Sequence, residues 1–195
     1  MRFQCGLAAV ASIFILCTSL PTDDLVISGY TPPRDIADGV YYVPIVTTGN
    51  TSGRLIRRYG DAIKIANITD VTDPVSSTSS LPISERRCVG SNEMDPVHHE
   101  NALLNLGHRC DSGQAISASG LGAGIIYSKY GSAIVYGCSF GGQNPCSTAE
   151  LREFDEYMDR ECGDQVAGWV FMKKWQKRYG RNDFLPGVCG RTDVP

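Results

Sequence analysis

The stretch GIIYSKYGSAIVYGCSFGGQNPCSTAELREFDEYMDRECGDQVAGWVFM, residues 124–172, decides the fold. Gly124-Ile125-Ile126-Tyr127-Ser128 and Ser132-Ala133-Ile134-Val135-Tyr136-Gly137-Cys138 are β-rich runs on either side of Lys129-Tyr130-Gly131, and together they predict a hairpin. A period of two in the second run places Ile134, Tyr136, Cys138 and Phe140 on one face. Ser147-Thr148-Ala149-Glu150 is a capping box, whose hydroxyl and carboxylate serve amide donors that the first turn of a helix leaves free. Leu151, Phe154, Met158 and Cys162 recur at spacings of three and four, so the helix presents them together, and Gly163 can take the left-handed conformation that ends it. Cys138 and Cys162 are therefore expected in the helix–sheet interior. Gln165 to Met172 predicts another strand.

Upstream, Asp95-Pro96 offers an N-cap and a first-turn proline. Val97, Leu103, Leu104 and Leu106 supply an apolar side, and Gly107 is expected to close this first helix. Residues 20–71 contain no cysteine and read as an extended or hairpin segment, with Gly39 to Ile45 pairing Leu55 to Tyr59. Residues 72–87 are rich in serine and proline and read as an exposed linker. The order helix, hairpin, helix, strand predicts an α+β fold: a two-layer sandwich of an antiparallel sheet with two helices on one face. A ferredoxin-like split βαβ is the preferred example.

The cysteines place this fold in an oxidising compartment. Cys5 and Cys17 fall in an apolar N-terminal stretch, whereas Cys88, Cys110, Cys138, Cys146, Cys162 and Cys189 all lie in the second half. Arg2, the apolar run Gly6 to Leu16 and the small residues at 17–19 read as a signal peptide over 1–19, too short to span a bilayer. Its removal leaves six cysteines, an even set, in a domain over 88–195. Six cysteines allow 15 connectivities, and the sequence does not choose among them. Asn50-Thr51-Ser52 and Asn67-Ile68-Thr69 are acceptor sites for N-linked glycan. The reading is a secreted, extracellular protein without stable membrane insertion. Loss of Arg2 with the leader takes the formal charge from −3 to −4, which argues against general nucleic-acid binding.

Cys110-Asp111-Ser112-Gly113-Gln114, Ala133 to Cys138, Cys146 to Glu150, Cys162-Gly163, Gly168-Trp169-Val170 and Tyr179-Gly180-Arg181 form a pattern over roughly residues 82–190. It resembles the small secreted cysteine-rich proteins of filamentous fungi, many of them treated as candidate effectors. In element order alone the chain is similar to the α/β killer toxins of smut fungi. The resemblance implies secretion toward a host or competitor, and no activity transfers residue by residue.

The sharpest candidate surface is Lys173-Lys174-Trp175-Gln176-Lys177-Arg178-Tyr179-Gly180-Arg181, five cations and two aromatics within nine residues. Lys173, Lys174, Trp175, Lys177, Arg178, Tyr179 and Arg181 are the candidate binding residues, suited to an anionic glycan, a lipid head group or a phosphate backbone. The competing reading is a sheet edge guarded by lysines. Charge reversal at Lys173, Lys174 and Lys177 is expected to weaken capture and to leave stability unchanged. Glu150, Glu153, Asp155, Glu156, Asp159 and Glu161, interspersed with Arg152 and Arg160, read as a solvated helix face.

Catalytic signals are sparse. His98 and His99 diverge by about 100° on a helix and make no zinc pair, so no metal or cofactor is expected. His98 and Glu100 offer a base and an acid for a small ribonuclease. Ser119 to Gly124 is glycine-rich but lacks the Lys-Ser/Thr of a phosphate loop. Arg86-Arg87, read as lying at the linker border, is a candidate dibasic cleavage site that would release 88–195. The expected function is effector-like or toxin-like binding of a host or competitor molecule. A small secreted hydrolase and a cell-wall or surface structural protein are the alternatives.

Overall fold

The computed structural model describes residues 29–49, 55–69, 80–113, 115–116, 124–141, 144–183 and 187–190. The signal peptide, the Asn50 sequon, residues 70–79 of the linker region and Gly120 to Gly122 lie outside them. Ten elements follow in order: β1 (Gly39–Gly49), β2 (Leu55–Tyr59), β3 (Ile63–Ala66), β4 (Glu85–Glu93), α1 (Pro96–Asp111), β5 (Gly124–Tyr130), β6 (Ala133–Ser139), α2 (Thr148–Cys162), β7 (Val166–Met172) and β8 (Lys177–Asp183). The fold is α+β, as expected. Its sheet is antiparallel throughout, in the order β2-β1-β5-β6-β8-β7-β4, with β3 also on β1. Because Tyr42 pairs with both Ile63 and Ile126, β3 lies on the side of β1 away from β5.

The β5–β6 hairpin forms as expected, through Tyr127↔Tyr136; β1 also pairs with β2, but from Ile45↔Tyr59 to Gly49↔Leu55, while the expected run from Gly39 lies against β5 and β3 instead. The strands β3 and β4 and the place of β8 go beyond the expected elements. Residues 177–183 turn back from β7 and insert between it and β6, pairing both neighbours. As a result β6 and β7 run parallel with one strand between them, a split crossover through α2. β4 and β5 also run parallel, but with β7, β8 and β6 between them. A ferredoxin-like order would set β4 beside β6, and β8 occupies that place. The sheet also crosses the boundary drawn at 72–87. Val40, Tyr41, Tyr42 and Val43 of β1 are all buried, and this part of the strand sits in the sheet of the cysteine-rich region.

Both helices lie on one sheet face. Leu103 and Leu106 of α1 and Leu151, Phe154 and Met158 of α2 pack against Val40, Ile126, Val135, Val170, Met172 and Tyr179. The alternate residues Tyr41, Val43, Ile125, Tyr127, Ile134, Tyr136 and Cys138 form a second cluster on the opposite face with Val188 and Cys189. That cover is closed by a bridge between the two ends of the described chain. Tyr30 N donates to Val188 O at 2.8 Å and Val188 N to Tyr30 O at 3.0 Å. Gly29 makes the approach possible, since a Cβ there would stand 2.7 Å from the Gly187 backbone.

The six cysteines pair as Cys88–Cys162, Cys110–Cys146 and Cys138–Cys189. Cys138 belongs to the face opposite the helices, which corrects its expected place: the period of two was right, and the face it indexes is covered by the C-terminal segment. Helix α1 begins as expected, with Asp95 Oδ1 accepting from Val97 N and His98 N at 2.9 Å each. It does not stop at Gly107 but runs on to Asp111. Gly107 instead lets α2 approach, because a Cβ would stand 2.4 Å from Thr148 Oγ1.

Candidate binding surface and the charges beneath it

The β7–β8 turn, residues 173–176, carries the exposed part of the basic stretch. Lys173, Lys174 and Gln176 are exposed and Trp175 is half-buried against the helix-side core. The turn is held on both flanks: Lys173 N donates to Ser84 Oγ at 2.7 Å and Phe140 N to Gln176 O at 2.9 Å. Gln176 stands at φ +50°, a left-handed conformation that tightens the entry into β8.

The remaining candidate residues are not at the surface. Lys177 is 1% exposed, and Arg178, Tyr179 and Arg181 are fully buried. The period of two in β8 turns Lys177, Tyr179 and Arg181 toward α2, where the carboxylates expected to be solvated meet them. Lys177 Nζ and Tyr179 OH both donate to Glu150 Oε2 at 2.5 Å, and Lys177 Nζ also donates to Pro145 O at 2.9 Å. Arg181 Nη1 lies 2.7 Å from both Asp155 Oδ1 and Asp159 Oδ1, while its Nε donates to Val166 O at 2.9 Å. His99 Nε2 completes the cluster 3.1 Å from Asp155 Oδ1.

Two features that each read as surface thus neutralise one another inside the molecule. The capping box is half made: Ser147 Oγ accepts from Glu150 N at 3.2 Å, but the Glu150 carboxylate turns to β8. Burial alone would raise the Asp155 carboxyl, and the contacts with His99 and Arg181 outweigh it and hold it below the usual carboxylate range. Burial pulls the Lys177 ammonium down against the opposing pull of Glu150. The Tyr179 phenol is pushed well above its ordinary value by burial and by the Glu150 charge.

Arg178 faces the other way, with its guanidinium carbon 4.2 Å from the Trp169 ring centroid and 5.3 Å from that of Phe140. Planar stacking of this kind favours arginine over lysine. The signal for all of this was present in the alternation of β8 and in the recurrence of acidic residues at 150, 155 and 159. Reading the two patterns against each other would have joined them.

The nuclease pair is not assembled. Glu100 is held in a two-pronged ion pair, with Arg152 Nη1 and Nη2 at 2.8 and 2.5 Å from its oxygens. His98 lies against the β5–β6 turn, where its Nδ1 accepts from Ser132 N at 3.3 Å and sits 3.1 Å from Ser132 Oγ. His98 is thus engaged through Nδ1 by the β5–β6 turn, while Glu100 is engaged by Arg152 on α2. Among the described residues no cluster of three or more His, Cys, Asp or Glu could hold a metal ion, and no helix is long and apolar enough to cross a membrane.

Asn67 of the second sequon is exposed, and Thr69 N donates to Asn105 Oδ1 of α1 at 2.8 Å. Arg86 and Arg87 do not lie in a linker. They pair with Val170 and Trp169 in the β4–β7 ladder, and Arg86 Nη2 stands 2.9 Å from Glu161 Oε2. No protein-family model, no curated protein and no solved structure matches the chain.

Proposed function

We propose that the chain is a secreted, glycosylated binding protein, effector-like or toxin-like, carried on a two-layer α+β scaffold and aimed at a host or competitor molecule. The observation that carries this reading is the β7–β8 turn. There Lys173 and Lys174 are exposed beside half-buried Trp175, on a hairpin whose other charges are held internally. A rigid turn bearing two ammonium groups and an indole suits an anionic partner, since little order has to be imposed on binding. Three disulfides fit an oxidising compartment outside the cell.

The burial of Lys177 narrows the test to two lysines. The variant Lys173→Glu/Lys174→Glu is expected to lose capture of host-extract ligands or immobilised acidic glycan while melting at the same temperature. Capture by that variant equal to that of the unsubstituted protein sinks the reading.

A further inference from the structure

The three disulfides differ in one respect that bears on chemistry. Cys110, Cys146, Cys138 and Cys189 are all buried, whereas Cys88 is exposed on β4, the outermost strand, and its partner Cys162 is half-buried at the last residue of α2. Attack on a disulfide needs a thiolate to reach one sulfur in line with the bond, so access sorts the three pairs. The exposed pair also lies at the sheet edge, where the pairing of β4 changes register. The β4–β7 ladder runs from Glu85↔Phe171 to Cys88↔Gly168 and then shifts register before Glu93↔Val166. The dibasic pair Arg86-Arg87 sits inside this short run, immediately before the cystine.

We infer that Cys88–Cys162 is a thiol-exchange site for low-molecular-weight thiols, and that opening it uncovers the Arg87–Cys88 peptide bond to endoproteolysis. A thiolate RS⁻ attacks Cys88 Sγ, the Cys88–Cys162 bond breaks, and Cys162 leaves as a thiolate that takes a proton from water. A second RS⁻ attacks the mixed disulfide and releases RSSR, so the protein gains two thiols and two molecules of thiol are oxidised. The end of α2 then no longer holds β4. The five ladder pairs of β4 with β7, the flanking hydrogen bonds from Ser84 N to Phe171 O and from Met94 N to Gln165 O, and the surface ion pair Arg86–Glu161 remain, and an edge strand paired on one side can open locally without global unfolding. A protease needs its substrate extended and unpaired, which β4 provides once it leaves β7. The buried pairs stay closed because no thiol reaches them in the folded chain.

The experiment exposes the native protein to graded reduced glutathione, alkylates it, and locates the label by peptide mass. Cys88 and Cys162 are expected to label roughly tenfold faster than the other four cysteines. Equal rates for all six, or no label before unfolding, overturn the site. A dibasic-specific endoprotease is then added to reduced and unreduced protein. Cleavage after Arg87 is expected in the reduced fraction alone, and equal cleavage of both fractions, or of neither, overturns the coupling. The variant Cys88→Ser/Cys162→Ser is expected to be cut without any thiol. If it does not fold by circular dichroism, labelling and cleavage of the unsubstituted protein still decide both points.

Discussion

Lys177 Nζ stands 2.5 Å from Glu150 Oε2 in the layer between β8 and α2, with the lysine side chain 2% exposed and the glutamate 16%. Removing one member of such a pair leaves the other charge buried and uncompensated, at a cost of about 3–5 kcal/mol. Lys177→Ala is therefore expected to lower unfolding stability by about that amount in urea titrations. The double variant Glu150→Gln/Lys177→Met, which removes both charges, should recover most of it. Lys173→Glu/Lys174→Glu, on the exposed turn, should stay within roughly 0.5 kcal/mol of the parent.

Gly107 gives a prediction of reversed sign. In a helix interior alanine is normally better than glycine by roughly 0.8–1.0 kcal/mol. Here the added Cβ would meet Thr148 Oγ1 at 2.4 Å, and that hydroxyl is fixed by donation to Asp111 Oδ2 at 2.7 Å. Gly107→Ala should therefore destabilise, by about 1–3 kcal/mol. Equal or higher stability in a denaturation series would show that α1 and α2 can move apart freely.

The acid limb of stability should depend on Asp155. Its carboxyl is held below the usual range in the folded chain, so between the unfolded value of about 3.9 and the lower folded value the unfolded chain binds more protons. The stabilisation is complete above that window and is lost as pH falls through it. Asp155→Asn is expected to lower stability at pH 7 and to flatten the fall below about pH 4. An unchanged slope in urea midpoints against pH would contradict this.

Alkaline pH acts through the phenols. Burial raises Tyr127, Tyr179, Tyr30 and Tyr41 above the ordinary tyrosine value, so these groups ionise first in the unfolded chain. Stability should be level below about pH 10 and decline above it. Tyr127→Phe should make the decline shallower, which thermal melts across that range can measure.

Cleavage after Arg87 should nick the protein without releasing 88–195. Residues 20–87 carry no cysteine, yet β1 is hydrogen-bonded to β5 on one side and to β2 and β3 on the other. The two pieces should co-elute in gel filtration and separate in denaturant without reductant. Separation under native conditions would mean that the β1–β5 ladder does not hold them.

Local patterns were the legible part of this chain. The β5–β6 hairpin, the N-cap at Asp95, the helix from Thr148 to Cys162 and the strand Val166 to Met172 all follow from short-range periodicity and capping chemistry. What lay hidden depends on contacts distant in sequence. Basic residues at 177 and 181 look solvated until α2 supplies Glu150, Asp155 and Asp159 across the interior. Gly107 resembles a helix stop until Thr148 is seen against it. Of the seven candidate binding residues, Lys173 and Lys174 are exposed and Trp175 half-buried, whereas Lys177, Arg178, Tyr179 and Arg181 are buried in β8.

The place of β1 constrains how the molecule can be made. Its partner β5 begins at Gly124, so a nascent chain carries Val40 to Val43 with β3 but without β5 until most of the polypeptide has been synthesised. Until residues 96–111 have been synthesised and α1 has formed, Thr69 of the sequon cannot be engaged by Asn105. On the proposed reading of a secreted glycoprotein, an enzyme adding sugar during translocation would meet this sequon in an open chain, ahead of the docking that ties Thr69 to α1.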